Sequence, residues 1–143
     1  MVYDDQNIFA KIIRGQIPCE KLFENEYVLA FMDIMPQVDG HCLVVPKRTS
    51  TGLLDADPDV FSPLFAAVQR LGKATQSAFD ADGVTIMQFN GAAAGQTVFH
   101  LHVHVMPRHS GVPLKTHSGT MEDIEIIKKN ADLIRKALAM QEG

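Results

Sequence analysis

The chain is poor in cysteine, and the two it has are badly spaced for metal or disulfide chemistry. Cys19 and Cys42 form no C-x-x-C pair, so free thiols in a reducing compartment are expected. No apolar run approaches the ~20 residues that span a bilayer. The opening M-V-Y-D-D-Q-N is acidic and polar, where a secretory signal carries basic and then apolar residues. A cytoplasmic protein with no membrane partner is expected. Positive charge is not in excess either. The formal net charge is -4, which argues against nucleic acid as a bulk partner. No G-x-x-x-x-G-K-[ST] occurs, which excludes a P-loop. No repeated βαβ pattern, internal repeat or low-complexity segment is present. These absences leave a single domain over residues 1–143, because 46% of the 143 residues are hydrophobic, enough for one core without staples.

The apolar periodicity places the elements. Ile8, Phe9, Ile12 and Ile13 share a helical face between Asn7 and Arg14, and Gly15 and Pro18 stop it. Lys21–Glu24 and Tyr27–Asp33 read as strands around an Asn25-Glu26 turn, followed by a loop over Pro36–Gly40 and a strand over His41–Val45. Asp57-Pro58 or Ser62-Pro63 opens a helix that runs to about Phe79. Val84–Phe89 is a strand, and Asn90–Gly95 is a small-residue loop. Val98–Met106 reads as a strand ended by Pro107. Thr120 with Asp123 resembles a capping box. Beyond it Ile124, Ile127, Ala131, Ile134 and Leu138 form a narrow seam, suited equally to the chain's own domain and to a partner chain. Five strands linked mostly by short turns predict an α+β fold with an antiparallel sheet, a few helices and an extended C-terminal helix.

The densest signal is V-F-H-L-H-V-H-V-M-P-R, Val98 to Arg108. His100, His102 and His104 alternate, so on a strand they share one face, while Leu101, Val103 and Val105 face the other way. With 6 histidines in 143 residues, three in alternation arise by chance on the order of 0.01 times per chain. The cluster therefore points to function. A zinc site would use neutral imidazoles but asks for a carboxylate or cysteine, and none lies within several residues. A nucleophilic site needs only the histidines. One neutral imidazole attacks phosphorus, and a neighbour stabilises the charge that develops.

H-L-H-V-H-V-M fits the pattern His-x-His-x-His-x-x with x apolar, and the chain closely resembles the histidine triad (HIT) superfamily of nucleotide hydrolases and transferases. I-F-A-K-I-I-R-G-Q-I-P, L-A-F-M-D-I-M-P-Q, G-H-C-L-V-V-P-K and N-G-A-A-A-G-Q-T-V resemble successive blocks of its Hint branch and bacterial relatives. The resemblance covers a core of about 7–108 and leaves 109–143 as a C-terminal extension. It implies the HIT fold, with His102 as the nucleophile that carries a nucleoside monophosphate. His104 would touch the phosphate, and His100 and His41 would belong to the supporting proton network. Asp33 would hold the ribose hydroxyls, since a carboxylate can accept two hydrogen bonds from a cis-diol. Phe9, Ile12, Phe31 and Ile34 would wall the base pocket, though each fits a core position equally well. Asn90, Gly95, Gln96 and Thr97 would face the phosphate and leaving group. His41, Asp33 and Asn90-Gly91, taken alone, read as structural or turn residues.

The chain also departs from the family. Some bacterial relatives build a structural zinc site on a C-x-x-C near the start and a histidine just after P-K. Here those places hold Asn7, Ala10 and Thr49, so no zinc and no other cofactor is expected. His104 stands where the nucleotidyltransferase branch has glutamine, which favours hydrolysis. Pro107-Arg108 is closer to bacterial and Fhit-like members than to Hint itself. The implied reaction is two-step transfer of an adenylyl or related group to His102 and then to water. The substrate would be a purine nucleoside monophosphate, such as an AMP phosphoramidate, with dinucleoside polyphosphate hydrolysis or nucleotide binding without turnover as rivals. The family's habit further implies a homodimer, with the Phe61–Phe79 helix and the final seam as candidate interface surfaces.

Overall fold

The computed structural model describes residues 2–116 and 120–141. The elements are α1 (Ile8–Ile13), β1 (Lys21–Glu24), β2 (Val28–Met32), β3 (Cys42–Pro46), α2 (Phe61–Ala78), β4 (Gly83–Met87), β5 (Val103–Arg108) and α3 (Ile124–Gln141). One-turn 3-10 helices at Pro58–Val60 and Ala92–Ala94 precede α2 and β5. The five strands form one antiparallel sheet in the order β1-β2-β3-β5-β4. This is the α+β architecture expected, with a C-terminal helix.

Strand alternation sorts the side chains onto two faces. Val28, Ala30, Met32, Val44, Val103 and Val105 join Leu64, Leu71, Ile127 and Ile134 in one core between the sheet and the two long helices. Leu29, Phe31, Leu43 and Val45 face the other way and pack with Phe9 of α1. All residues of β2 and β3 are buried, because both faces are covered. His104 pairs with Leu43 across the sheet, which puts it on the α1 side.

Both long helices spend their apolar stripes inside the chain. Leu64, Val68 and Leu71 of α2 and Ile127, Ala131, Ile134 and Leu138 of α3 belong to the same core. Most of the α2 stripe and of the C-terminal seam, expected as candidate partner surfaces, is thus packed within this chain, while Phe65 of α2 and Ile124 at the start of α3 stay 44% and 48% exposed. The guanidinium of Arg135 on α3 also donates from Nε and Nη2 to the Lys21 carbonyl at 2.9 and 2.7 Å, covering the outer side of β1.

Three local expectations need correction. The histidine segment is a strand only from Val103 to Arg108, not from Val98 to Met106. Before Val103 the backbone leaves the ladder: Leu101 donates to the Ser50 carbonyl, and the Gln96 side chain donates to that of Val98. Pro107 does not end the strand, because β3 pairs with β5 only as far as Val105, and beyond it Pro107 faces Val84 alone. A missing N–H is tolerated where a strand has a single neighbour. The cap of α3 is Asp123, not Thr120. Asp123 Oδ1 accepts from Glu125 N–H at 2.9 Å, and its carbonyl accepts from Ile127. Glu122 gives its own N–H to Ile34, which holds the chain in an extended path until Asp123.

Gly40 fixes the entry to β3. Its φ is +88°, and a Cβ there would stand 2.5 Å from the Phe79 ring and 2.9 Å from Pro107 Cγ. Only glycine allows the chain to turn so close beneath that ring, and the next residue, His41, is delivered fully buried to the end of the sheet.

Candidate active site

A cleft partly open to solvent lies between α1 and the sheet. Its walls include Phe9, Ile12, Phe31 and Ile34, and His102, His104, Asp33 and Thr97 also line it. Phe9 meets Phe31 edge-on with ring centroids 5.6 Å apart, and meets the His102 imidazole edge-on at 4.9 Å. The apolar wall therefore touches the His102 ring directly. Phe9 and Phe31 are both core and cleft residues, so the two readings of their sequence positions were never exclusive.

The hydrogen bonds fix which nitrogen of each neutral imidazole carries the proton. His102 Nδ1 lies 2.7 Å from the His100 carbonyl. A carbonyl only accepts, so Nδ1 bears the hydrogen and Nε2 keeps the lone pair. His41 shows the opposite logic. Gln37 N–H donates to its Nδ1 at 3.0 Å, so its proton is on Nε2. That Nε2–H points to His104 Nδ1 at 2.9 Å and lies 3.4 Å from Asp33 Oδ2. His104 Nδ1 then accepts, and the proton of His104 sits on Nε2. The two histidines of the cleft are thus opposite tautomers, with ring centroids 5.1 Å apart. His102 offers an electron pair and His104 offers an N–H.

Backbone geometry delivers these groups. Asp33 follows the last residue of β2 and His41 precedes the first of β3, and Asp33 N–H donates to the His41 carbonyl at 3.1 Å, closing the hairpin loop. Met35 N–H donates to Asp33 Oδ1 at 2.8 Å, which orients the carboxylate and leaves it further lone pairs. His102 is 6% exposed and His100 is fully buried. Burial pushes both imidazoles below their ordinary titration range. In His102 this outweighs the hydrogen bond to the His100 carbonyl and the Asp33 charge, which oppose it. An imidazole held neutral near pH 7 is the result.

Not every expected residue reaches the cleft. His100 turns away from it, towards the Pro46 carbonyl and the Tyr3 hydroxyl. Asn90, Gly95 and Gln96 do not line it either. Asn90 Oδ1 accepts from Leu53 N–H, and the Gln96 side chain bonds Thr51, Val98 and Gly91. Gly95 closes the turn with φ +105°. These three hold the loop that carries Thr97. Sequence reasoning missed Gln37, Met35 and Tyr3. The first two act through backbone N–H groups, which no residue type advertises.

Among the described residues, one group of His, Cys and carboxylate side chains could share an ion: Asp33, His41 and His104, whose ligand atoms lie within 4.8 Å of one another. The carboxylate that a zinc reading asked for is thus present in space, though distant in sequence. The donor set still does not fit a metal. Binding at His41 Nε2 would push its proton to Nδ1, where it would face the Gln37 N–H, donor against donor. Asn7, at one of the family's zinc positions, instead caps α1 through Ala10 N–H.

A family model for the HIT domain matches residues 14–111. The chain belongs to the HIT family. It is similar to a Hit-like protein of Bartonella henselae, with 51% identity, TM-score 0.89 and coverage of 95% of this chain and 99% of that one. Protein hit of Bacillus subtilis is 37% identical over 139 residues, covering 92% of this chain and 94% of that protein. An adenylylsulfatase of Arabidopsis thaliana is 39% identical over 101 residues, which span 71% of this chain and 51% of that protein. A hypothetical histidine triad nucleotide-binding protein of Sulfolobus tokodaii shares the fold at 29% identity and TM-score 0.85, covering 94% of this chain and 93% of that one.

The lowered titration of His100 and His102 predicts a pH dependence of stability. The unfolded imidazoles take up protons near 6.5, and the folded ones resist until lower pH. In that window the unfolded state binds more protons, so stability falls as pH drops below about 6.5. The urea midpoint should be lower at pH 5.5 than at pH 7.5. An unchanged midpoint would contradict the burial of two neutral imidazoles.

Proposed function

We propose that this HIT-family protein hydrolyses purine nucleoside 5′-phosphoramidates or related adenylyl substrates through a nucleotidyl-histidine intermediate. The observation that carries this reading is the pair of opposite tautomers, His102 and His104, at the end of an apolar cleft. The base would lie among Phe9, Ile12, Phe31 and Ile34, and the ribose hydroxyls would bond Asp33.

In the first step His102 Nε2 attacks phosphorus. The bond from phosphorus to the leaving nitrogen breaks, and the nitrogen departs with the electron pair and takes up a proton. His104 Nε2–H donates a hydrogen bond to a non-bridging oxygen, and the leaving nitrogen takes its proton from solvent. In the second step water attacks phosphorus and gives up a proton to solvent, the bond to Nε2 breaks with its electron pair returning to His102, and the monophosphate leaves. The hydrogen bond from His41 Nε2–H to His104 Nδ1 keeps the His104 proton on Nε2 between turnovers. Neither step calls for a metal, since the neutral imidazole is already nucleophilic.

The adenylylsulfatase relative favours a second reading with the same nucleophile, in which sulfate leaves from an adenylyl group. A phosphate leaving group, as in dinucleoside polyphosphates, is a third. The free thiols of Cys19 and Cys42 suit a reducing cytoplasm.

We also propose a homodimer. Arg135 covers the outer side of β1, so β4 is the sheet edge left for a partner, and Ile86 on it is 43% exposed. Light scattering at micromolar concentration should give twice the chain mass; a monomer would overturn this.

The reaction is tested by turnover of an adenosine 5′-phosphoramidate ester with chelator present. Wild type should turn over, and His102→Ala should lose on the order of 10^3-fold or more in kcat while still binding AMP. Parallel assays with adenosine phosphosulfate and diadenosine polyphosphates rank the leaving groups. If His102→Ala matches wild type on every substrate, the nucleotidyl-histidine reading falls.

A further inference from the structure

His100 is fully buried, yet it does not line the cleft, and the proposed steps leave its ring without a part. Its partners give it one. Nε2 lies 2.8 Å from the Pro46 carbonyl, which can only accept, so Nε2 carries the hydrogen. Nδ1 then holds the lone pair, and the Tyr3 hydroxyl, 2.7 Å away, donates to it. The Tyr3 ring also meets the imidazole edge-on, with centroids 5.7 Å apart. The carbonyl of this same His100 receives the Nδ1–H of His102.

The position of these residues makes the anchor matter. His100 and His102 precede β5, which begins at Val103. No sheet ladder holds them. The segment is fixed by the His100 ring against Pro46 and Tyr3, and by Leu101 N–H on the Ser50 carbonyl. A shift of the His100 ring therefore moves the carbonyl that orients His102.

We propose that Tyr3 is a positioning residue for nucleotidyl transfer: its hydroxyl locks the tautomer and orientation of His100, and through the His100 carbonyl it aims the Nε2 lone pair of His102. This rests on the reading of His102 as nucleophile. Tyr3 does not line the cleft, so it acts on the chemical step and not on nucleotide binding. Without the hydroxyl, His100 Nδ1 becomes a buried acceptor lacking its donor. The ring can then recover a partner only by turning, which gives up the Pro46 bond, or by taking a proton beside His102.

The test is Tyr3→Phe, which keeps the ring contact and removes only the O–H. Two readouts are taken. In the imidazole ¹⁵N spectrum, wild-type His100 Nδ1 should be unprotonated and hydrogen-bonded. In Tyr3→Phe it should move downfield or become protonated. In steady-state assays of the adenosine phosphoramidate, kcat should fall roughly 10-fold with KM within about twofold. Unchanged kcat, or a change confined to KM, overturns the positioning role. A protonated His100 Nδ1 in wild type overturns it whatever the variant's folding. Failure of the underlying reading looks different: wild type itself would bind AMP without turnover, which removes the reaction that Tyr3 is proposed to serve, while the ¹⁵N spectrum still reports whether the Tyr3–His100 bond exists.

Discussion

The 2.7 Å hydrogen bond from His102 Nδ1 to the His100 carbonyl governs the chemistry of the whole site. It uses one nitrogen and thereby decides that the other holds the electron pair on the cleft side. A histidine in solution divides its proton between both nitrogens, and an attacking atom that exists only part of the time is a poor one. Here the choice is made by a backbone atom that cannot titrate. The opposite choice at His41 is also made by backbone, through Gln37 N–H, and is passed on to His104. Two peptide groups thus convert neighbouring imidazoles into an electron-pair donor and a hydrogen-bond donor.

Both devices depend on where the sheet ends. Asp33 and His41 flank the loop between β2 and β3, and His102 stands one residue before β5. Each polar group is therefore near the ordered ladder but outside its own hydrogen-bond pattern, so its backbone partners are local and specific. The same location puts the imidazoles under apolar walls. Phe9 against His102 and Phe89 against His104, with centroids 4.9 and 5.6 Å apart, exclude water from the buried His102 ring and cover part of the half-buried His104 ring. Exclusion of water keeps His102 neutral, and it also strengthens any N–H that faces a phosphate oxygen.

Much of this was legible in the sequence, and what was not has physical reasons. Helical periods in α2 and α3 were readable because each buries one face, whereas β2 and β3, buried on both faces, were readable as short apolar runs bounded by turn residues. The alternation of His100, His102 and His104 against Leu101, Val103 and Val105 was readable too, and Leu101, Val103 and Val105 do face the core. The strand boundary was not, since alternation continues through an extended segment whether or not a neighbour pairs with it. Pro107 misled for a related reason: its effect depends on how far β3 accompanies β5, which is a tertiary fact. Asn90 and Gln96 belong to recognisable blocks, yet their side chains brace a loop, and only the fold separates bracing from contact. Gln37 and Tyr3 carry no signal, since one works through its peptide N–H and the other lies almost 100 residues from its partner.

In the free protein His102 and His104 are opposite tautomers. The direct measurement is the imidazole ¹⁵N spectrum of ligand-free protein at pH 7.5, with His102→Ala and His104→Ala used for assignment. His102 should show an unprotonated Nε2 and His104 a protonated Nε2. The same tautomer in both rings, or a rapid average over both nitrogens of His102, would contradict it.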